Sequence, residues 1–330
     1  MKPKVLITRA LFPDVVARLA EHFDVDLNAA NTPLTRSQLA ARLADKDGVL
    51  VMGDRLDETA LRGAPRLRVV SNMAVGYDNL ELAAFDRANV LATNTPGVLD
   101  ESVADYAWAL MMNAARRVSE SERWLRRGEW RGWSYDMYLG GDVHGSILGI
   151  IGMGRIGEAV ARRAQGFGMS VLYFNRSRVS QAAELRTGAS YCSKEQLLHR
   201  ADHVILTLPY TPESRHIIGA KELTLMKSTA TLTNVARGGV VDDAALLLAL
   251  RERRIAAAAL DVYENEPNFL PGLLELPNLV MTPHNAPGSE RTRRAMANLA
   301  ADNLIAGLGF GPDAGHPPNP INLKLPRGAH

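Results

Sequence analysis

The eleven-residue stretch Ile147–Gly157, ILGIIGMGRIG, constrains the fold more than any other part of the chain. An apolar run leads into three glycines with the spacing Gly152-x-Gly154-x-x-Gly157, and a helical pattern, EAVARRAQGF, follows. In a strand–loop–helix unit the first glycine permits a tight turn, the second lets the backbone approach a pyrophosphate, and the third lets the helix pack on the strand. Free N–H groups at the start of the helix then face the anion. The stretch therefore predicts a dinucleotide-binding site rather than a purely structural turn.

Short β-branched apolar runs alternate with amphipathic stretches along most of the chain. Continuous apolar strands separated by helices are typical of parallel sheets that are covered by helices on both faces. Eleven such runs exceed one compact sheet, so the pattern predicts two doubly wound α/β domains. The predicted strands are Val5–Thr8, Val25–Leu27, Gly48–Val51, Val69–Asn72, Val90–Thr93, Ile147–Ile151, Ser170–Phe174, His203–Leu208, Thr229–Val235, Ala256–Asp261 and Leu279–Met281.

Two long helical patterns organise these strands into domains. One, at Ser102–Arg127, joins the two series of strands, and the other spans Ser289–Leu308. This arrangement predicts a discontinuous first domain, residues 1–100 with 290–330, and a second domain of residues 101–289.

The end of the chain, from Gly309 onward, holds five of the 17 prolines, including Pro326. A tail of this composition buries little surface of its own. We therefore expect it to lie over another surface of the protein.

The composition excludes several classes of protein. The chain has 330 residues, of which 46% are hydrophobic and 22% charged, as in an ordinary folded protein. Its formal charge of +2 provides no global positive field for nucleic acid. The single cysteine, Cys192, cannot form an intrachain disulfide, which favours a reducing compartment. No apolar run is long enough for a secretory signal or a membrane span, so we expect a cytoplasmic protein without membrane contact.

The loop after the second strand of the nucleotide unit indicates which cofactor is used. That strand ends at Phe174, and the loop reads Asn175-Arg176-Ser177-Arg178 where an NAD site usually carries Asp or Glu. A carboxylate would repel a 2′-phosphate, whereas arginine offers it a planar fork of donors. The loop therefore favours NADPH over NADH; the alternative is a solvated polar loop without a cofactor role.

Three side chains that could take part in catalysis follow later strands, at the sheet edge where open α/β sheets have their active sites. Arg237 follows TLTNV, Glu266 follows AAAALDV, and His284 follows LVMT. Each alone has an ordinary explanation: a surface arginine, a solvated loop acid, a histidine bonded to backbone. Together they supply a cation, an acid and a proton donor after the same nucleotide motif.

With these motifs the chain resembles the D-isomer-specific 2-hydroxyacid dehydrogenase family. Within that family it most resembles the glyoxylate/hydroxypyruvate reductases and the 2-ketogluconate reductases. The resemblance covers nearly the whole chain in the family's order. It rests on the stretches SNMAVGYDNL, NTPGVLDESVADYAWALM, HGSILGIIGMGRIG, NVARGGVVDDAALLLAL, AAALDVYENEP and LVMTPHNA.

The resemblance implies a Rossmann nucleotide domain and a flavodoxin-like substrate domain. It places Arg237, Glu266 and His284 on the family's catalytic triad, and the backbone N–H groups of Val75 and Gly76 on the substrate carboxylate. It places Asp261 on the nicotinamide amide. The candidate cofactor-binding residues are Gly152, Gly154, Arg155, Ile156, Gly157, Asn175, Arg176, Ser177, Pro209, Val235, Arg237, Asp261 and His284.

The implied reaction is NADPH-dependent reduction of a short 2-oxo acid such as glyoxylate, hydroxypyruvate or 2-ketogluconate to a D-2-hydroxy acid. Arg237 orients the substrate and stabilises negative charge on its oxygen, while protonated His284, held by Glu266, donates a proton. Two alternatives remain open: an NAD-dependent dehydrogenase of a larger D-2-hydroxy or sugar acid, and a nucleotide-sensing, corepressor-like binding protein. The family usually has Ile-Gly-Ser after its histidine, where this chain has Asn285-Ala286-Pro287, so the wall beside the nicotinamide is expected to differ.

All four tryptophans lie between Trp108 and Trp133, beside charged residues. Aromatic and arginine side chains are enriched at interfaces, and in the resembling family this region forms a homodimer arm, so we expect a homodimer.

Arginines in the same region alternate with glutamates, which indicates a solvated helix face rather than a nucleic-acid site. His199 and His203 have a metal-ligand spacing, but His203 begins a predicted strand, so no metal site is expected.

Overall fold

A computed structural model describes residues 1–322; residues 323–330, including Pro326 and the end of the predicted segment 290–330, lie outside the described residues. The chain divides into two compact units. The first comprises residues 1–99 and, of the described chain, residues 289–322, and the second comprises Asp100–Gly288.

The elements follow one another as repeated strand–helix pairs. In chain order they are β1 (Lys4–Ile7), α1 (Pro13–His22), β2 (Asp24–Leu27), α2 (Arg36–Leu43), β3 (Gly48–Val51), α3 (Glu58–Arg62), β4 (Val69–Asn72), α4 (Leu82–Ala88), β5 (Leu91–Thr93), α5 (Asp100–Ala115), α6 (Val118–Arg126), β6 (Ile147–Ile151), α7 (Arg155–Gly166), β7 (Ser170–Phe174), α8 (Gln181–Thr187), β8 (Ala189–Tyr191), α9 (Lys194–Arg200), β9 (His203–Leu206), α10 (Ala220–Leu225), β10 (Thr231–Asn234), α11 (Asp243–Arg251), β11 (Ala257–Leu260), a short 3-10 helix (Pro271–Glu275), β12 (Leu279–Met281) and α12 (Glu290–Gly307).

The first unit is a five-stranded parallel sheet in the order β2-β1-β3-β4-β5, which is the flavodoxin-like order. All four residues of β3 are buried, as expected for a central strand covered on both faces. Helix α12 packs on β4, where the Ser71 hydroxyl donates a 2.8 Å hydrogen bond to the Ala300 carbonyl. The confirmed fold class thus includes the predicted flavodoxin-like sheet.

The described part of the C-terminal tail covers the edge strand of this sheet. The backbone N–H of Ile321 donates to the Ala92 carbonyl at 2.9 Å, and the Asn322 side-chain oxygen accepts from the Ala92 N–H at 2.7 Å. The tail therefore gives hydrogen-bond partners to β5, whose edge would otherwise be open.

The second unit is a seven-stranded parallel sheet in the order β12-β11-β10-β9-β6-β7-β8. Counted from β6 as the first strand, this is the 3-2-1-4-5-6 order of a Rossmann fold with one further strand. The order reverses between β6 and β9, which is where such sheets bind nucleotides at the carboxyl ends of their strands.

Two predictions about this unit were wrong in detail. Strand β8 was missed because it is a three-residue edge strand, Ala-Ser-Tyr, with two exposed residues and therefore no apolar run. The single helix predicted over Ser102–Arg127 is two helices, because Arg117 adopts a left-handed conformation with φ of 54° between α5 and α6. The Asn113 side chain there accepts from the Ser119 N–H at 2.8 Å, a local bond that competes with helix continuation.

The tryptophans do not form one surface. Trp108 is 5% exposed, stacks on Phe167 at 4.6 Å and donates from its indole nitrogen to the Val160 carbonyl at 3.0 Å. It belongs to the core of the second unit, contrary to the interface expectation for this residue. Trp130 and Trp133, after the helix break, are exposed. Among the helices of residues 1–322, none is long and apolar enough to cross a membrane.

Candidate active site

The glycine-rich loop has the backbone geometry that a bound pyrophosphate requires. Gly152 has a φ of 105°, and a Cβ there would lie 2.6 Å from the backbone nitrogen of Leu208. A Cβ on Gly157 would collide with the Gly152 carbonyl, so α7 can approach β6 this closely only without a side chain. Around Gly154 no described heavy atom lies within 4 Å of the Cβ position, which leaves room for a ligand to contact the backbone.

Side chains from neighbouring strand ends hold this loop. The Thr207 hydroxyl donates to the Gly152 carbonyl at 2.7 Å. The Asn175 amide contacts both polar groups of Met153: its oxygen accepts from the N–H at 2.6 Å, and its nitrogen donates to the carbonyl at 3.4 Å. Asn175 therefore supports the glycine loop through its side-chain amide.

The two arginines of the loop after β7 have different surroundings. Arg178 forms two 2.8 Å hydrogen bonds to the Glu184 carboxylate, which also accepts from the Tyr173 hydroxyl at 2.6 Å. The pKa of Glu184 is lowered to about 2. The hydrogen bond from Arg178 is the largest cause, and the hydrogen bond from Tyr173 is the second largest. The charge of Arg178 is thus neutralised, contrary to expectation. Arg176 is exposed, and within residues 1–322 its guanidinium makes no hydrogen bond or ion pair.

A carboxylate–histidine pair lies where β11 and β12 end. The Glu266 carboxylate contacts His284 Nδ1 at 2.8 Å with one oxygen and accepts from the Tyr263 N–H at 2.7 Å with the other. His284 has a left-handed backbone with φ of 50°, and its N–H donates to the Asp261 carbonyl at 2.8 Å. Because Nδ1 is occupied by Glu266, Nε2 is the ring nitrogen through which His284 can exchange a proton with another group.

Asp261 fixes the loop that carries this histidine. Its fully buried carboxylate accepts hydrogen bonds from the N–H groups of Asn285 and Ala286, each at 2.8 Å, and from the Thr282 hydroxyl at 2.7 Å. A buried carboxylate is tolerated when its oxygens are satisfied in this way. The unusual Asn-Ala-Pro sequence after His284 is therefore anchored through its backbone.

Arg237 follows the end of β10, and its own loop is tied to the strand. Its Nη1 donates to the Ala236 carbonyl at 2.8 Å, and the Asn234 amide accepts from the Ala236 N–H at 3.0 Å and donates to the Arg237 carbonyl at 3.1 Å. Of the other cofactor candidates in this unit, Val235 is buried in the same turn, Arg155 and Ile156 begin α7, and exposed Pro209 follows β9.

Val75 and Gly76 belong to the first unit. The Asn94 amide donates to the Val75 carbonyl at 2.8 Å, and the Asn72 amide donates to the Gly76 carbonyl at 3.0 Å. In the part of the chain that the structure describes, neither residue's N–H donates a hydrogen bond. The loop therefore presents two donors of the kind that a carboxylate accepts.

Sequence reasoning missed a cluster beside the Arg237 and Glu266 loops. His216 Nε2 lies 2.7 Å from a Glu264 oxygen, and its Nδ1 lies 3.8 Å from an Asp242 oxygen. Asp243 is 3% exposed and accepts from the Glu264 N–H at 3.0 Å. Burial raises the pKa of Asp243 to about 6. The acids stand in the quoted stretches VVDDAA and DVYENEP, but nothing in the sequence pairs them with His216.

Comparison with known proteins agrees with this geometry. The NAD binding domain of the D-isomer specific 2-hydroxyacid dehydrogenases matches residues 108–286, inside the second unit. A glyoxylate reductase of Thermococcus kodakarensis is 45% identical over 311 residues, covering 93% of each chain. One from Aeropyrum pernix is 43% identical and covers 98% of this chain and 97% of its own.

Solved structures extend the likeness to three dimensions. An NADPH-dependent glyoxylate/hydroxypyruvate reductase from Sinorhizobium meliloti, in complex with NADP and malonate, has a TM-score of 0.84 at 33% identity and covers 97% of each chain. The TT0316 protein of Thermus thermophilus has a TM-score of 0.89 at 38% identity, covering 97% of this chain and 100% of that one.

A Rossmann sheet with a pyrophosphate-type glycine loop, and with an arginine and a carboxylate–histidine pair at neighbouring strand ends, is typical of an oxidoreductase that uses a nicotinamide cofactor. The chain belongs to the D-isomer specific 2-hydroxyacid dehydrogenase family. It is an enzyme of that class.

Asp243 makes stability depend on pH. Its pKa is raised on folding from 3.8 to about 6, so the folded protein binds the proton more tightly and loses stability as pH rises through this range. Asp243→Asn keeps an acceptor for the Glu264 N–H but carries no charge. We expect the free energy of unfolding of this variant, relative to that of wild type, to increase by about 1–3 kcal/mol between pH 4.5 and pH 7. Thermal unfolding at both pH values measures the difference. Exposed Asp136→Asn is the control, and a pH-independent difference for Asp243→Asn would contradict the assignment.

Proposed function

We propose that this protein reduces glyoxylate and other short 2-oxo acids to 2-hydroxy acids with NADPH, with the D-isomer formed where the product is chiral. The observation that carries the proposal is the 2.8 Å contact between Glu266 and His284 Nδ1, beside the strand that leads to Arg237. The relatives named glyoxylate reductase, 43–45% identical over nearly the whole chain, support glyoxylate as a substrate. The Sinorhizobium neighbour supports hydroxypyruvate; 2-ketogluconate is a further candidate from the sequence resemblance.

Each catalytic side chain has a role that follows from its contacts. The nicotinamide cofactor, when bound, supplies the hydride that adds to the C2 carbonyl carbon. His284 donates a proton from Nε2 to the carbonyl oxygen, and Glu266 orients the ring through its contact with Nδ1. The Arg237 guanidinium binds the substrate carboxylate and stabilises negative charge as it grows on the oxygen.

Other backbone and side-chain groups bind and orient. In the first unit, the N–H groups of Val75 and Gly76 are proposed to bind the substrate carboxylate. The glycine loop of residues 152–157 would hold the pyrophosphate at the start of α7. Arg155, Ile156, Pro209, Val235 and Asp261 are the further proposed cofactor contacts.

Two alternative functions would give different results from the proposed one in a single assay of substrates and cofactors. A dehydrogenase of larger D-2-hydroxy or sugar acids would prefer NADH and bulky substrates, and a corepressor-like protein would bind dinucleotide without turnover. The Glu266–His284 pair favours catalysis, because binding alone does not require a proton donor. Glyoxylate, hydroxypyruvate, 2-ketogluconate and longer 2-oxo acids, each with NADPH and with NADH, distinguish the three.

The charge at the end of β7 supports the choice of NADPH. Arg176 is exposed and makes no ion pair within residues 1–322, whereas the neighbouring Arg178 is bound to Glu184. Ser177 is exposed beside it and offers a hydroxyl. We infer that Arg176, with Ser177, binds the 2′-phosphate.

The exposed aromatic segment, residues 130–139, supports a homodimer. Trp130, Trp133, Tyr135 and Leu139 are 53–81% exposed in the monomer. Contiguous exposed apolar groups of this kind mark protein–protein interfaces. We infer that this segment is the contact between two copies of the chain.

His284→Ala tests the proton donor. General acid catalysis contributes about 10²–10⁴-fold, so kcat for glyoxylate reduction should fall by that factor while the dissociation constant for NADPH changes less than about twofold. His199→Ala, an exposed histidine of α9 in the same unit, should keep wild-type kinetics. Wild-type turnover by His284→Ala would remove this residue from the mechanism.

Arg176→Gln tests the cofactor choice. One exposed, charge-assisted hydrogen bond to phosphate corresponds to about a tenfold effect after screening by salt. We expect kcat/KM for NADPH to fall about tenfold with little change for NADH, and the wild-type preference to shrink as salt increases. Arg186→Gln, which removes the same charge from α8, is the control. Equal use of both cofactors by wild type would show that the loop is only solvated.

Trp133→Glu tests the dimer. A charge in the centre of an apolar contact should separate the subunits, so sedimentation at micromolar concentration should change from about twice the chain mass of 35.9 kDa to a single chain. Leu185→Glu, at an equally exposed leucine of α8, should leave the mass unchanged. A wild-type protein that sediments as one chain would refute the proposal.

A further inference from the structure

We propose that His216 is a positioning residue that joins the Arg237 loop to the Glu266 loop through its hydrogen bond to Glu264. The proposal rests on the proposed function, because it assigns His216 to the support of that same proton-donating pair. His216 lies between β9 and α10 and contributes no atom to the Glu266–His284 contact itself.

The backbone around His216 pairs with the segment that follows Arg237. The His216 N–H donates to the Gly239 carbonyl at 2.8 Å, and the Ile218 N–H donates to the Val240 carbonyl at 3.3 Å. The Asp242 N–H returns a 2.9 Å hydrogen bond to the Ile218 carbonyl. His216 is therefore fixed to the loop that presents Arg237.

The imidazole reaches from this segment to two carboxylates on different elements. Its Nε2 lies 2.7 Å from Glu264, which is two residues before Glu266, and its Nδ1 lies 3.8 Å from Asp242, which caps α11 by accepting from the Ala245 N–H. The hydrogen bond from Nε2 to Glu264 therefore ties the segment after β9 to the loop after β11, while Asp242 lies beyond hydrogen-bond distance of Nδ1.

Glu264 is held from a second direction as well. Its backbone N–H donates to Asp243 at 3.0 Å, and one residue earlier the Tyr263 N–H donates to Glu266 at 2.7 Å. Gly238 packs against the Tyr263 carbonyl so closely that no side chain would fit there. The backbone of Tyr263 and Glu264 is thus bound to Asp243 and Glu266 and packed against the residue after Arg237, and the Glu264 side chain joins His216 to this segment.

The titratable groups nearest to His216 are three acids: Asp242 at the start of α11, Asp243 in α11, and Glu264 in the loop after β11.

His216 also has a left-handed backbone with φ of 51°, which guides the choice of variants. Asparagine tolerates this conformation, so His216→Asn removes the imidazole without adding strain, and its shorter side chain cannot replace the imidazole contact with Glu264. Glu264→Gln keeps shape and hydrogen bonding but removes the charge. His199→Asn makes the same change at an exposed histidine and is the matched control.

The experiment compares wild type, His216→Asn, Glu264→Gln, the double variant, His199→Asn and a Glu266→Gln reference in glyoxylate reduction with NADPH across pH. Misplacement of a catalytic group by about 1 Å lowers the reaction rate about a hundredfold. We therefore expect kcat to fall about ten- to a hundredfold in either single variant, while KM for NADPH stays within about twofold of the wild-type value. The alkaline limb of the pH–rate profile should move to lower pH, in the direction of Glu266→Gln. The double variant should lose less than the product of the single effects.

Several results would overturn the proposal. These are a wild-type kcat and alkaline limb in both single variants, a loss of kcat without any movement of that limb, or single effects that multiply in the double variant. Inactivation of wild type by EDTA, reversed by Zn²⁺ or Mn²⁺, would identify a metal site at His216, Asp242 and Glu264 instead. A wild-type protein that reduces no 2-oxo acid refutes the proposed function, whereas an active wild type with unaffected variants refutes only the role of His216.

Discussion

All strands of the second unit run in the same direction, so the loops that leave them emerge at one edge of the sheet. This constraint brings together groups that are far apart in the sequence: the glycine loop after β6, Arg237 after β10, Glu266 after β11 and His284 after β12. The reversal of strand order between β6 and β9 opens the crevice in which such folds bind a dinucleotide. The chemistry of the site depends on this parallel arrangement before it depends on any single side chain.

Within that edge, buried carboxylates set the loop conformations. Asp261 is fully buried and binds the backbone after His284, and Asp243 binds the backbone of Glu264. A carboxylate that is removed from water must find N–H donors, and a loop that supplies them is held in one conformation. His284 and its neighbours therefore keep a left-handed turn without a regular element to support it. The cost of burying Asp243 appears as its raised pKa.

Charge pairing also distinguishes the two arginines of the loop after β7. Arg178 is bound by Glu184, while Arg176, two residues earlier, is exposed. Asn175 supports the glycine loop from the same turn. One short loop thus combines an amide that supports the glycine loop, an arginine paired with Glu184 and an exposed arginine, and residue type alone does not distinguish these surroundings.

The sequence by itself determined the fold class, eleven of the strands, and the family, since apolar runs, glycine spacing and the motifs around Arg237, Glu266 and His284 are local features. It failed where tertiary contacts override local pattern. The three-residue strand β8 exists because β7 offers an edge, and α5 ends before Arg117 where side chains bond to the backbone. Trp108 turned out to be core because Phe167 stacks on it. Only the tertiary structure decided that Asn175 supports a loop, that Arg178 is paired with Glu184 and that His216 contacts Glu264. Those facts depend on partners far apart in the chain, which sequence spacing does not encode.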